Sequence, residues 1–127
     1  SWHSHDWYFA IDWKGKREYI KPKSGIWVRQ GNSEFENGYT VIKSKWVFKD
    51  SIDMRNNNIW FFDDNGSFYK KVDSKSMILK DGFWELRRAV INDSLNYNKK
   101  VKRYKIKTDL KENVNCLNNF KKYLYIT

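Results

Sequence analysis

Cysteine occurs once in these 127 residues, proline once and histidine twice. One thiol, Cys116, excludes an internal disulfide, and without a CxxC pair the chain has no thiol framework for zinc or dithiol redox chemistry. Followed by Leu117 in an apolar-periodic segment, Cys116 reads as a small buried side chain. The two histidines stand together as His3-Ser4-His5-Asp6. The spacing is similar to part of a binuclear zinc-hydrolase signature, but Trp7 replaces that signature's last His and no distant Cys or His completes a shell. A Ser-His-Asp or Cys-His device would also have to borrow its His from the first five residues. No glycine-rich phosphate loop is present. Asp63-Asp64-Asn65-Gly66 lacks the later bidentate Glu of a calcium loop and reads as a hairpin turn. Glu34-Phe35-Glu36 has no neighbour in sequence that would raise a carboxyl pKa. The chain therefore reads as a non-enzyme; a small hydrolase built on His3 and His5 is the catalytic alternative.

Long apolar runs are missing as well. Nothing approaches the ~20 apolar residues that cross a bilayer, and no signal-peptide pattern opens the chain. The opening Ser1-Trp2, without Met, suggests a piece excised from a longer parent, whose anchor would lie outside this numbering. Acidic residues are few, 15 against 25 Lys and Arg, for a net charge of +10. That excess suits an anionic partner, although a chain rich in Asn, Lys and Ile spreads lysine over any solvated face.

What the chain has in quantity is aromatic residues, 18% of the total, with seven Trp, eight Tyr and eight Phe. They favour strands and bury large areas, either in one aromatic core or along a groove, an interface or a sheet edge. The pattern predicts strands at 7–11, 17–20, 25–29, 39–48 (with a break near Ser44), 59–62, 67–72, 76–79, 83–91 and 103–107. Lys14-Gly15-Lys16 reads as a turn and Pro22 as a strand end or edge. Asn56 to Asn58 reads as a polar connection, and residues 92–100 as a loop. Asn65-Gly66 and Asp81-Gly82 are turn pairs that tolerate positive φ. Arg87-Arg88 interrupts an apolar face and predicts a bend or bulge. Thr108 or Asp109 can cap a short helix over 110–120, with Leu110, Val114, Leu117 and Phe120 at spacings of three and four. The sum is one all-β domain over 1–127, of roughly ten short strands and a terminal helix, in the range of a sandwich, barrel or jelly roll.

Two lysine-rich stretches carry rings: Lys14, Lys16, Arg17, Lys21 and Lys23 with Trp13 and Tyr19, and Lys99, Lys100, Lys102, Arg103, Lys105 and Lys107 with Tyr97 and Tyr104. A basic aromatic β surface of this kind could bind single-stranded nucleic acid. The same residues also serve as lysine-rich strand edges that resist aggregation, and no RNP-like or KH signature accompanies them.

Four pieces in order, GIWVRQGN at 25–32, IWFFDDNGSF at 59–68, KDGFWELRRAVI at 80–91 and IKTDLKENV at 106–114, give the chain a further likeness. It resembles the periplasmic domain of the LptF/LptG (YjgP/YjgQ) lipopolysaccharide-export permeases. Trp27 after Gly25 and Ile26 is closer to the LptG-like branch. Ser74 and Met77 depart from a common Ala-x-x-Ala, Lys111 stands where Pro is common, and residues 1–23 match nothing in the family. The resemblance implies an open, taco-like β jelly roll on the periplasmic face of the bacterial inner membrane, without catalytic residues, metal or cofactor. It implies lipopolysaccharide as cargo and LptC- and LptA-like jelly rolls as edge-to-edge partners. A second permease subunit and the cytoplasmic ATPase LptB would act through the parent protein, and nucleic acid would not be a partner. Under it, Trp27, Trp46, Phe48, Ile59, Phe61, Met77, Leu79, Trp84 and Leu86 are the candidates for contact with acyl chains. Strand parity leaves open which of them are closed core and which line a groove.

Overall fold

The computed structural model describes residues 7–11, 17–48, 51–110 and 124–125. His3, His5, Trp13, the turn at residues 14–16, Cys116 and the helix expected beyond Leu110 lie outside them. The described residues form an all-β, open antiparallel sheet with no helix among them.

The strands are β1 (Trp7–Ile11), β2 (Glu18–Pro22), β3 (Ile26–Gly31), β4 (Tyr39–Ser44), β5 (Trp46–Phe48), β6 (Asp53–Phe62), β7 (Phe68–Lys80), β8 (Phe83–Asn92), β9 (Lys99–Lys107) and β10 (Leu124–Tyr125). Two expectations need correction. Asn56 to Asn58 is the middle of β6 rather than a connection, and residues 68–80 are one strand rather than two. Polar residues hid both: Asn56 to Asn58 and Asp73 to Lys75 look like loop composition, yet Asn57, Asn58, Asp73 and Ser74 pair with neighbouring strands. Strand β9 also begins four residues before the expected Arg103.

Strand β6 organises the rest. Its first residues pair with β5, which leads to β2 and β1; its last five pair with β4, which leads to β3 and β10. Strands β7, β8 and β9 follow on its other side. The inward-facing residues change parity part-way along each long strand. In β8, Trp84 and Leu86 point inward, Arg87 and Arg88 are both exposed, and Ala89 and Ile91 point inward again. Strand β7 changes from Val72 and Ser74 to Met77 and Leu79, and β9 changes between Val101 and Tyr104. Of the bend or bulge expected at Arg87-Arg88, the bend is present: Arg88 has φ 51°, and the register with β7 and β9 is the same on both sides of it.

These changes fall on one line. Asn56, Lys75, Arg88 and Lys102 are the residues skipped where β6 pairs with β7, β7 with β8 and β8 with β9, and the same register resumes on either side of them. Asn56, like Arg88, has positive φ, 54°. Along this line four strands bend together, so one sheet becomes two layers that face each other. The inner side of the bend carries small residues in the adjacent row, Ser44, Asn57, Ser74 and Ala89, because larger ones would collide on the concave side. Ser44 Oγ donates to Asn57 Oδ1, and Asn57 Nδ2 donates to the Met54 carbonyl at 2.9 Å and to Ser74 Oγ at 3.2 Å. The buried Ser44, Asn57 and Ser74 side chains are partnered in this way.

Candidate functional site

Between the layers lies one apolar interior. Residues of the first layer, including Ile26, Val28, Ile42, Ile59, Phe61, Val72 and Ile91, face Met54, Met77, Leu79, Trp84, Leu86 and Ile106 of the second. The interior follows from alternation: each strand segment exposes its apolar parity to one side only, and the bend turns the two apolar sides together.

Of the nine candidates read from the sequence, Ile59, Phe61, Met77, Leu79, Trp84 and Leu86 meet in this interior. The other three lie on the opposite face. Trp27 and Trp46 are half-exposed there, and Phe48 is buried under the guanidinium groups of Arg17 and Arg55, which lie 3.6 and 4.9 Å from its ring centre. Trp27 lies parallel to Trp60, and Tyr39 is stacked on Phe62. Arg29 covers Tyr39, Lys43 lies over Trp27 and Lys71 over Trp60. The outer aromatic residues are therefore capped by the sheet's own cations.

Opposite the bend, the two layers end in a mouth. Its first rim is made by the loops at residues 32–38, 63–67 and 93–98, its second by the turn at Asp81-Gly82 and by Thr108 to Leu110. A cleft of about 580 Å³ separates Arg29, Asn32 and Glu36 on one side from Gly82, Lys107 and Asp109 on the other. Gln30 spans the mouth: its amide donates to the Lys107 carbonyl at 2.8 Å and accepts from the Trp84 indole at 3.1 Å. Asp81-Gly82 is the expected two-residue turn, with Gly82 at φ 84°. The Asn65-Gly66 turn is wider than expected, because Asp63 Oδ1 accepts from the amides of Asn65 and Ser67.

A second tie went unread in the sequence. The buried Lys70 ammonium, on the inner side of β7, donates to Glu34 Oε1 at 2.7 Å and to Tyr104 Oη at 3.0 Å. It thus joins the β3–β4 loop and the first layer to the second. Burial alone would push its pKa down, but the bonds to Glu34 and Tyr104 outweigh that and leave it raised. Tyr69 beside it is raised too, chiefly by burial, while its hydroxyl accepts from Asn32. The available signal was parity, since Lys70 shares the inward set of Val72 and Ser74. Glu34 is thereby committed to an ion pair rather than to a carboxylate pair with Glu36. Among the described residues no group of three or more His, Cys, Asp or Glu is arranged to hold a metal ion.

No protein-family model and no curated protein sequence matches this chain.

Proposed function

We propose that this domain is the periplasmic jelly roll of a lipopolysaccharide-export permease of the LptF/LptG kind, and that its interior is a segment of an acyl-chain conduit. One observation carries the reading. The four pieces of the family likeness fall, in order, on β3, on the β6–β7 hairpin, on the β7–β8 hairpin with β8, and, for the described residues 106–110 of the last piece, on the end of β9 and the segment after it. Those elements build both layers and both rims around one apolar interior. Among the described residues the sheet ends at β1, β9 and β10, and such edges fit edge-to-edge docking with LptC- and LptA-like jelly rolls. Acyl chains would enter at the mouth, where the ties of Gln30 and Lys70 are polar and breakable, whereas the bend is closed by its own ladder. The anionic glycolipid headgroup suits the +10 charge.

Single-stranded nucleic acid is less well served. Its bases need open ring faces between cations, and Tyr39, Trp27 and Trp60 carry cations over those faces already.

Photocrosslinking in cells that make lipopolysaccharide tests the reading. A photoreactive phenylalanine analogue replaces Tyr69 or Tyr104 inside, or Trp60 or Phe62 outside, within the parent protein. Adducts with lipopolysaccharide from the inner positions alone are expected. Adducts from neither set, or only from the outer one, would remove the conduit.

A further inference from the structure

Among the described residues only Phe68, Leu95 and Tyr97 are large, apolar and exposed. All three lie at the first rim of the mouth, because Phe68 opens β7 and the other two sit in the loop from β8 to β9. Leu95 is 91% exposed and Tyr97 88%. This loop is built, not loose. Asp93 Oδ1 accepts from the amides of Leu95 and Asn96 and from the Asn96 side chain, at 2.8 to 2.9 Å. Asn92 and Asn98 close its base by two further bonds, with Asn98 at φ 49°. The bond from the Leu95 amide, then those from Asn96, hold the Asp93 carboxyl below the usual carboxylate range. Such bonding fixes the backbone that carries two apolar side chains, and no described residue covers them.

Cations lead from that tip along β9 towards the bend. Lys99, Lys100 and Lys102 follow it on β9, and Arg88 lies beside Lys102 on β8; all four are exposed, and none makes an ion pair among the described residues. Arg88 holds positive φ, where Gly or Asn would sit with less strain, so its charge is kept at a conformational cost. Lysine on an edge strand is ordinary protection against aggregation, but Arg88 belongs to an inner strand paired on both sides.

We infer that the 93–98 loop and the strip of Lys99, Lys100, Lys102 and Arg88 leading from it dock on the surface of an anionic phospholipid bilayer, with Leu95 and Tyr97 entering the headgroup region. Three arguments select this occupant. The patch projects from a rim and cannot enclose a small anion, which needs a concave site. Two side chains offer far less than the ~1,000 Å² that a specific protein interface needs, whereas apolar tips with a basic strip suffice for a lipid surface. Tyr97 is the exposed ring beside these cations, and one ring is a poor platform for the successive stacked bases of a single strand. The inference is independent of what the interior carries.

Co-sedimentation of the 127-residue chain with vesicles tests it. Binding is expected to phosphatidylglycerol–phosphatidylcholine vesicles at low salt and not to pure phosphatidylcholine. L95S/Y97S should weaken it at least tenfold, and K99Q/K100Q/K102Q roughly a hundredfold, at about fivefold per cation. K21Q/K23Q/K45Q removes equal charge from another exposed region and should cost only a few-fold. These changes leave Asp93, Asn92, Asn96 and Asn98 in place, and a thermal melt matching the parent verifies the fold. Should a triple variant melt early, K99Q/K100Q alone carries the comparison. The inference is overturned if the parent ignores the anionic vesicles, if both triples weaken binding equally, or if L95S/Y97S binds as the parent does. It is also overturned if a DNA oligonucleotide competes the protein off the vesicles through the same strip.

Discussion

The bend and the mouth close the same interior at opposite ends, and they do so with different chemistry. At the bend, Ser44, Asn57 and Ser74 are neutral, buried and bonded to one another and to a backbone carbonyl. At the mouth, Lys70 is buried but its partner Glu34 is half in solvent. A buried neutral network has no cheap alternative once broken, because each group loses its partner without gaining water. Glu34, by contrast, can be solvated as soon as Lys70 lets go. One end of the interior is a permanent fold and the other is a clasp.

The largest effect should come at the bend. Asn57→Ala strands Ser44, Ser74 and the Met54 carbonyl in the interior, and a loss of about 3 kcal/mol is expected in urea unfolding. A loss below about 1 kcal/mol would mean that the bend does not depend on its network. Ala89→Leu adds bulk to the concave side of the same line and should cost about 2 kcal/mol, with the midpoint shifted and the m-value unchanged.

Lys70→Met should cost at most about 1 kcal/mol, since the replacement packs against Phe61 while Glu34 turns to water. Its sharper signature is in pH. The folded pKa values of Lys70 and Tyr69 are raised, so their stabilising contribution is complete below the unfolded values and fades as pH rises past about 10. Thermal melts of the parent should fall more steeply than those of Lys70→Met above that pH. Equal slopes would reduce the clasp to an ordinary surface pair.

The smallest effect has the opposite sign. Arg88→Asn relieves a positive φ on the bend line and should stabilise the fold by about 0.5 kcal/mol, read as a small rise in melting temperature. Destabilisation would show that the arginine stem packs more than its exposure suggests.

Much of this architecture was legible in the residues. Asp81-Gly82 marked its turn, the break near Ser44 separated β4 from β5, and Arg87-Arg88 marked the bend in β8. Trp84 and Leu86 share one parity and Ile59 and Phe61 share another, but which parity faces inward came from the fold. Asn56 to Asn58 and Asp73 to Lys75 were not legible, because their polarity belongs to a bend inside continuous strands. The placement of Trp46 and Phe48 was equally hidden. Both look like core, and both lie on the outer face beside Tyr19, where cations supply the cover that burial in the core would otherwise give.

The sequence by itself determined an all-β chain, its hairpin turns, its shortage of catalytic and metal-ligating residue types, and a basic aromatic surface. These are local matters of turn chemistry, parity and composition. Only the tertiary structure decided that four strands bend on one line, which aromatic residues face inward, and that Lys70 reaches Glu34 and Tyr104 across the interior. Each depends on register between strands distant in sequence, and a shift of a single residue would reverse every face at once.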